Sequence, residues 1–204
     1  NGDVVISSGQ SLVTKTIKIE KTDDIKKQIE SILQQANFYA FNLTKTNKSK
    51  LRRILLVRKD HIENLEKIIA DRRSWVVSIK SAGNILRGEN YVYAFPEARL
   101  NRSITRKGEI IATENISLAN SDSESIRKKI KLLLSSTLAE VKKRGSLSSE
   151  LKINANQINN LGKNLLSQKE GDIQIIAKSM NDSQSADKVS ISLELQSVQI
   201  NLRN

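Results

Sequence analysis

The chain carries the same hydrophobic pattern twice, about half its length apart. In residues 22–43 the apolar side chains follow a 4-3-1-3-4 spacing, which places them on one face of an α-helix. Residues 123–144 repeat this spacing at a constant offset of 101 positions, the difference between 126 and 25. The matched pairs are Ile25 and Ile126, Ile29 and Ile130, Ile32 and Leu133, Leu33 and Leu134, Ala36 and Thr137, and Ala40 and Val141. We therefore predict an internal duplication.

Strand patterns surround each predicted helix in the same order. A glycine turn at Gly9 or Gly108 precedes an alternating strand, and the apolar stretches before the turns, Val4–Ile6 and Ile104, predict a β-hairpin in each half. A short strand, a second helix and two more strands follow each long helix. The predicted counterparts are Leu55 and Val57 with Leu151 and Ile153, the N-caps Asp60 and Asn156, Val77 and Ile79 with Ile173 and Ile175, and Tyr91, Tyr93 and Phe95 with Val189, Ile191, Leu193 and Leu195.

Each half thus has the element order β-β-α-β-α-β-β. This order predicts an α/β or α+β fold of two duplicated halves, residues 1–101 and 102–204, in which helices pack on mixed sheets and a pseudo-two-fold axis relates the halves. We expect Leu33 and Leu134 to be buried at equivalent positions, and Gly145 to cap the second long helix. The alternative is one irregular α/β domain whose amphipathic elements match by chance.

The residue inventory limits the chemistry. The chain has no cysteine, which excludes disulfides, thiol catalysis and zinc sites that need thiolates. His61 is the single histidine, so a two-histidine metal site within one chain is excluded, and we expect His61 to face solvent on a helix. No phosphate-binding glycine motif and no G-x-S-x-G sequence occurs. We therefore expect no cofactor and favour a non-enzymatic role, with a Mg²⁺ site of converging carboxylates left open.

The charge balance indicates an anionic partner. Lys and Arg number 34 against 22 Asp and Glu, which gives a net charge of +12 and suits nucleic acid, anionic lipid or acidic glycan. Seven of these cations lie in residues 45–59, which contain no acid before Asp60 and which we call the basic segment. The candidate anion-binding residues are Lys48, Lys50, Arg52, Arg53, Arg58 and Lys59. A solvated loop is the competing interpretation, and the scarcity of aromatic residues makes single-stranded nucleic acid the weaker partner.

Residues 81–89 join two predicted strands through small residues and two glycines. A long hairpin connection and a ligand-binding loop both fit this composition. The candidate binding residues of this loop are Ser81, Gly83, Asn84, Gly88 and Glu89.

Several short motifs carry a resemblance that spans nearly the whole chain. They are Gly2-Asp3-Val4-Val5 with Ser8-Gly9-Gln10, Ser81-Ala82-Gly83-Asn84 with Gly88-Glu89, Gly108-Glu109 before an Ile-Ile-Ala strand, and Arg144-Gly145. In this order they resemble the C-terminal region of a cyanobacterial family known as domain of unknown function 3084. The polar tail after Gly171 and the richness in Lys and Asn depart from that pattern.

The resemblance implies a setting for the domain. It implies two N-terminal membrane spans joined by a basic loop, then a long coiled coil, then this domain. By the positive-inside rule, the domain would lie at the periplasmic face of the inner membrane, and the coiled coil would pair two copies. The start of the chain, Asn1-Gly2-Asp3-Val4, has neither an initiator Met nor a signal sequence, so we expect a piece of a longer protein.

These observations favour a structural or tethering module of the cell envelope. It would sit at the end of a membrane-anchored coiled coil and bind an anionic envelope polymer, a lipid or another protein, as a homodimer. The alternative is a nucleic-acid-binding or nuclease-like domain, which the net charge and the mixed α and β halves would also suit.

Overall fold

The computed structural model describes residues 3–20, 24–45, 50–71, 73–168 and 171–197. The chain divides into two compact units, Asn1–Asn101 and Arg102–Asn204. The described residues form four α-helices and eleven β-strands in mixed and antiparallel sheets, which is the mixed α+β fold class predicted from the sequence. None of the described helices has the length and apolar character needed to cross a membrane.

The first unit is built on a four-stranded mixed sheet. Its elements are β1 (Val4–Ile6), β2 (Ser11–Lys18), α1 (Asp24–Thr44), β3 (Leu55–Val57), α2 (Lys59–Ile69), β4 (Ser74–Ser81), β5 (Ile85–Leu86) and β6 (Val92–Leu100). The strand order is β2-β4-β6-β3, in which β3 runs parallel to β6 and the other neighbours are antiparallel. Strands β1 and β5 form a separate antiparallel pair.

Helix α1 supplies most of the helical core of this unit. Its spacing puts one aliphatic stripe on the sheet, because residues three and four positions apart share a helix face. The buried apolar residues of α1 are Ile25, Ile29, Ile32, Ala36, Ala40 and Phe41. They share one core cluster with Leu12 and Ile17 of β2, Val77 and Ile79 of β4, and Leu65 and Ile69 of α2. Helices α1 and α2 thus cover the sheet face that carries these strand residues.

The second unit has the same order of helices on an antiparallel sheet. Its elements are β7 (Ser103–Thr105), β8 (Ile110–Ser117), a 3-10 turn (Leu118–Asn120), α3 (Ser123–Lys143), α4 (Ala155–Ser167), β9 (Asp172–Ser179), β10 (Ser183–Gln184) and β11 (Ile191–Ser197). The order in the sheet is β11-β9-β8, and β7 pairs with β10. The α3 stripe buries Ile126, Ile130, Leu133, Thr137 and Val141.

The predicted hairpins between the first two strands of each half are wrong. Strand β1 pairs with β5, and β7 pairs with β10. The glycine turns instead dock on the central strands: the Gly9 N–H donates to the Ser81 carbonyl oxygen at 2.8 Å, and the Gly108 N–H donates to that of Ser179 at 2.8 Å. Both glycines have positive φ, +75° and +83°, which L side chains rarely adopt.

The short strand predicted over Leu151 and Ile153 is reduced to one parallel bridge between Lys152 and Ser190. In the described residues the chain before it forms a side-chain turn, in which the Ser148 hydroxyl donates to the Glu150 carbonyl oxygen at 2.8 Å. Two backbone hydrogen bonds hold the bridge: the Lys152 N–H donates to the Val189 carbonyl oxygen at 2.9 Å, and the Ile191 N–H donates to that of Lys152 at 2.9 Å.

The residues of β6 that face the core are not the aromatic residues from which the strand was predicted. Val92 and Ala94 are buried beneath the helices, whereas Tyr91 and Tyr93 are exposed and Phe95 is half-buried. Aliphatic side chains lose no hydrogen bond on burial, whereas a tyrosine hydroxyl needs a partner or water. In the second unit the predicted alternation holds, because Ile191 and Leu193 are buried.

The register also corrects the alignment of the central strands. Val77 of β4 lies opposite Lys15, and Ile175 of β9 lies opposite Glu114. The positions that match by pairing are therefore Val77 and Ile175, 98 apart (175 minus 77), instead of Val77 and Ile173.

The helix ends agree only partly with the sequence. Asp122 caps α3 by accepting from the Ser125 N–H at 2.8 Å. Gly145 has φ +105° and donates to the Lys142 carbonyl, while the Ser146 N–H donates to that of Val141, which is the Schellman arrangement. The predicted cap at Gly145 is confirmed.

The second helices begin earlier than predicted. The N-cap of α4 is Asn154, whose side chain accepts from the N–H of Asn156, the residue predicted as the cap. Helix α2 begins at Lys59 after Arg58, so Asp60 lies in its first turn. The Asp60 carboxylate accepts hydrogen bonds from the Arg58 side chain.

Truncation to alanine should destabilise the protein more at the buried helix positions than at their half-buried neighbours. Ile32 and Leu133 are fully buried, whereas Leu33 and Leu134, which the sequence predicted to be buried, are half-buried. We expect Ile32→Ala and Leu133→Ala each to lower the free energy of unfolding by about 2–5 kcal/mol, because each leaves a cavity. Leu33→Ala and Leu134→Ala should cost clearly less. Urea unfolding of the four variants measures this, and equal losses at adjacent positions would contradict the packing described.

Candidate functional site

The basic segment spans the connection from α1 to α2. Lys50, Arg52 and Arg53 precede β3, and Arg58 and Lys59 adjoin the start of α2; all five are exposed. Lys48, the sixth predicted anion-binding residue, lies outside the described residues. The structure thus places the cations on both sides of one short edge strand.

Three of these cations are already engaged. The Arg58 guanidinium pairs with Asp60 at 2.8 Å, and this hydrogen bond lowers the pKa of the Asp60 carboxyl. Lys59 lies 3.5 Å from Glu63, one helical turn on. Arg52 donates to the Asn90 side-chain oxygen. These contacts leave each guanidinium or ammonium exposed, so they compete only weakly with an external anion.

Lys50 and Arg53 are the cations best placed for an external ligand. Neither forms a hydrogen bond or ion pair with any other residue that the structure describes. An exposed guanidinium without an internal acceptor can donate two parallel hydrogen bonds to a phosphate or carboxylate.

Asn37 on α1 fixes the backbone of this segment. Its Oδ1 accepts from the N–H groups of Ile54 at 2.8 Å and Leu55 at 3.0 Å, and its Nδ2 donates to the Arg52 carbonyl oxygen at 3.1 Å. One side chain therefore satisfies three backbone groups on either side of Arg53. Arg53 is held in place through its neighbours, although its own side chain is exposed.

A groove runs between α1 and β3, next to the basic segment. We call this space, of about 500 Å³, the α1–β3 groove. Its apolar lining consists of Leu33, Phe38, Leu51, Leu55, Val57 and Ile62, and its polar lining of Glu30, Gln34, Asn37 and Arg53. Phe38 and Leu51 are 57% and 60% exposed, respectively. Volume and composition are in the range of small-molecule sites.

The sequence missed this groove. Asn37 and Phe38 lie outside the buried stripe of α1, and Leu51 lies among cations. None of the three was therefore a candidate binding residue. The available signal was an aromatic residue on the polar side of an amphipathic helix, beside a segment of seven cations.

The candidate loop at residues 81–89 is held by its own side chains. Asn84 Oδ1 accepts from the Ser8 N–H at 2.8 Å, and the Ser81 hydroxyl donates to the Gly83 carbonyl oxygen at 2.7 Å. Glu89 accepts from the Leu86 N–H at 2.9 Å. The Gly88 N–H, on a residue with φ +88°, donates to the carbonyl oxygen at the end of α1. These residues build and anchor the turn, which accounts for their types without a ligand.

The second unit contains the same set of turn contacts. Asp182 accepts from the Lys107 N–H at 2.7 Å, as Asn84 does from Ser8. Asp187 accepts from the Gln184 N–H at 2.7 Å, as Glu89 does from Leu86. The Asn84 and Glu89 positions thus have acidic counterparts that hold the backbone in the same way.

Arg144 and Glu109, two residues of the resemblance, form an ion pair in the second unit. Arg144 lies 2.6 Å from Glu109 and 2.9 Å from Glu140, and its guanidinium also reaches the Ile104 carbonyl oxygen at 3.4 Å. The Arg106 N–H, followed by the Arg144 side chain, lowers the pKa of Glu109. This network ties the end of α3 to the Gly108 turn.

Two further candidates from the sequence stand apart from the groove. His61, expected to face solvent, is half-buried, and its Nδ1 has no hydrogen-bond partner in the described part of the chain. It lies beside Phe95, Pro96 and Ile68. Among the residues that the structure describes, no group of three or more His, Asp or Glu side chains is arranged to hold a metal ion.

Comparison with known proteins shows similarity to a longer cyanobacterial sequence. The chain is 30% identical, over 138 residues, to the uncharacterized protein alr4393 of Nostoc sp. (strain PCC 7120), a cyanobacterium. The match covers 67% of this chain and 28% of that protein, so the chain spans less than a third of its relative's length. No family model matches the chain. No solved structure matches it either.

Replacement of Asn37 should destabilise the basic segment. Asn37→Leu, which introduces the residue type found at Leu138 in the second unit, leaves the buried N–H groups of Ile54 and Leu55 without an acceptor. We expect a loss of about 1–3 kcal/mol in the free energy of unfolding. Urea unfolding tests this, with Gln34→Leu as a control on the same helix. Equal stability of Asn37→Leu and the wild type would show that the amide contacts contribute nothing.

Glu109 should make stability depend on pH. Because its pKa is lower in the folded protein than in the unfolded chain, its carboxylate stabilises the fold above the ordinary pKa of glutamate, about 4.3. That contribution is lost as the pH falls through the lowered value. Glu109→Gln should therefore be less stable than the wild type near neutral pH, with a gap that closes in acid. Unfolding measured from about pH 7 down to about pH 3 tests this, and a gap that stays constant would refute it.

Proposed function

We propose that this protein is a non-enzymatic tethering module that binds an anionic partner through the basic segment. The observation that carries the proposal is the exposure of five cations over residues 50–59, two of them without an internal partner among the described residues. Burial of the aliphatic stripe of α1 and the clamp at Asn37 hold this charge on a fixed scaffold. A fixed array of cations binds an anion at lower entropic cost than a flexible one.

The similarity to a longer cyanobacterial protein supports a role as one part of a larger chain. The match covers 28% of that relative, so the matched region is one portion of a longer polypeptide there. On the proposal, this domain ends a membrane-anchored coiled coil at the periplasmic face of the inner membrane, as a member of the domain of unknown function 3084 family. Its partner would be acidic envelope material, a lipid or an acidic protein surface.

The proposal includes duplication and dimerisation. The matching turn contacts of Asn84 and Asp182, and the shared order of helices, support two repeats of one ancestral half. Homodimers would form through the coiled coil, with two copies of this module side by side. Two copies double the number of cations that face one anionic polymer, which raises its affinity by multivalency.

Charge reversal in the basic segment tests the anionic partner. Arg52, Arg53 and Arg58 changed together to Glu should abolish retention on phosphatidylglycerol vesicles, purified peptidoglycan and duplex DNA at low ionic strength, whichever of the three the wild type binds. Binding of the wild type should weaken as salt is raised, because contacts to a polyanion displace its counterions. Circular dichroism should show an unchanged fold, since the three side chains are exposed.

A matched control separates the segment from the net charge. Lys26, Lys27 and Lys67 belong to the same unit and lie outside the basic segment. Their change to Glu lowers the net charge from +12 to +6, as the arginine variant does (12 minus 6). Loss of binding only in the arginine variant supports the proposal, and equal loss in both would assign binding to net charge. Binding to DNA alone would favour the nucleic-acid alternative.

A further inference from the structure

The α1–β3 groove combines an apolar lining with two side chains of opposite charge, Arg53 and Glu30. Asn37 bonds to the backbone on both sides of Arg53, so Arg53 belongs to the Asn37 end of the groove. Glu30 lies seven residues earlier on α1, about 10 Å away along the helix axis. The groove is therefore cationic near Asn37 and anionic at Glu30, with Leu33 between the two on α1 and Phe38 on the far side of Asn37.

The two side-chain amides that line the groove, those of Asn37 and Gln34, are already hydrogen-bonded. The Asn37 amide is used on both its oxygen and its nitrogen. The Gln34 side-chain nitrogen donates to Glu30 at 3.3 Å. A peptide laid in this groove would bring backbone N–H and C=O groups out of water with few partners to receive them, at a cost for each group left unpaired. A hydrocarbon chain has no such groups.

We propose that the α1–β3 groove binds one acyl chain of an anionic lipid, with the headgroup held at Arg53. Phe38 and Leu51 would cover the part of the chain next to the headgroup, and Leu33, Leu55 and Val57 the part beyond it. Lys50 would add a second positive charge near the headgroup. This inference rests on the proposed function, because it names the anionic partner of the basic segment as a lipid.

Chemistry orients the bound lipid. The headgroup phosphate meets Arg53, which has no other acceptor among the described residues, and the chain runs toward Val57 and Ile62. The reverse orientation would place the phosphate near the Glu30 carboxylate, where like charges repel. Burial of a lipid chain against exposed Phe38 and Leu51 also removes apolar surface from water, at roughly 25 cal/mol per Å².

The second unit lacks two side chains that define this groove. Leu138 and Ala139 occupy the positions of Asn37 and Phe38, at the offset of 101 that relates the two long helices. Leu138 is half-buried and packs against the core of its unit. The aromatic wall and the amide clamp are thus features of the first unit, and the lipid site is assigned to that unit alone.

Monomeric amphiphiles test the site directly. Dodecyl phosphate below its micelle concentration, inorganic phosphate and dodecyl phosphocholine are titrated into the whole chain by calorimetry. We expect dodecyl phosphate to bind at least tenfold more tightly than either of the others, since only it combines a chain with a net negative headgroup. Equal binding of dodecyl phosphate and inorganic phosphate would overturn the inference.

Variants within and beside the groove locate the binding. Phe38→Asp and Leu51→Asp should weaken dodecyl phosphate at least tenfold, and Arg53→Glu should do the same. Tyr39→Asp is the matched control: Tyr39 is 42% exposed on the same helix and does not line the groove. Circular dichroism confirms that each variant is folded. Equal affinity in Phe38→Asp and Tyr39→Asp would refute the site.

Vesicle binding distinguishes failure of this inference from failure of the proposed function. On phosphatidylglycerol vesicles, Phe38→Asp should reduce the binding that survives high salt, while retention on a polyphosphate resin at low salt is unchanged. Unchanged vesicle binding of Phe38→Asp, together with loss in the triple arginine variant, would overturn the groove and keep the basic segment. Tight binding of an acidic peptide that dodecyl phosphate cannot displace would likewise overturn the lipid assignment.

Discussion

Burial of one aliphatic helix stripe on an antiparallel strand pair is the contact on which each unit depends. In the first unit the α1 residues around Ile32 pack on Val77 and Ile79, and in the second the stripe around Leu133 packs in one cluster with Ile175. Dispersion and the removal of apolar surface from water stabilise this contact in each unit. The parts of each unit outside this contact, such as the short strand β3 and the Gly108 turn, take their positions from it.

Polar side chains then fix the connecting segments, whose course the aliphatic core does not determine. Asn37 satisfies three backbone groups before and within β3, and Asn84 and Asp182 each receive one N–H from a turn. Such bonds contribute modestly when formed but are costly to lose where the backbone is buried. They therefore determine the course of the connecting segments. These polar contacts, and not the aliphatic core, position the basic segment and thereby one wall of the groove.

The difference between the aliphatic core and these polar contacts explains which features could be predicted from the sequence. Periodicity revealed both long helices and the mixed α+β class, because aliphatic spacing reflects the face that a helix buries. It failed at Leu33 and Leu134, on the border of the stripe, and at Tyr91 and Tyr93, where alternation indicated the strand but not which face was inside. It also failed for the β1 and β5 pair, since a short antiparallel pair whose partners are 79 to 82 positions apart (85 minus 6, 86 minus 4) has no local signal. The basic segment was visible as charge, whereas the groove beside it was not, because its walls come from α1, the segment through β3 and Ile62 of α2, which periodicity treats separately.

The residues that carry the family resemblance have structural roles, whereas the exposed residues of the groove do not. Gly9, Asn84 and Gly108, and the Arg144 pair with Glu109, build turns and ion pairs, so their types follow from backbone geometry and charge pairing. Phe38, Leu51 and Arg53 have no such role inside the fold, because two are apolar and exposed, and the third is a cation without an acceptor in the described residues. A side chain whose exposure costs free energy and whose contacts explain nothing inside the fold is better explained by something outside it. On that reasoning we propose that the binding surface is the α1–β3 groove, whose residues the fold needs least, and not the glycine turns of the resemblance.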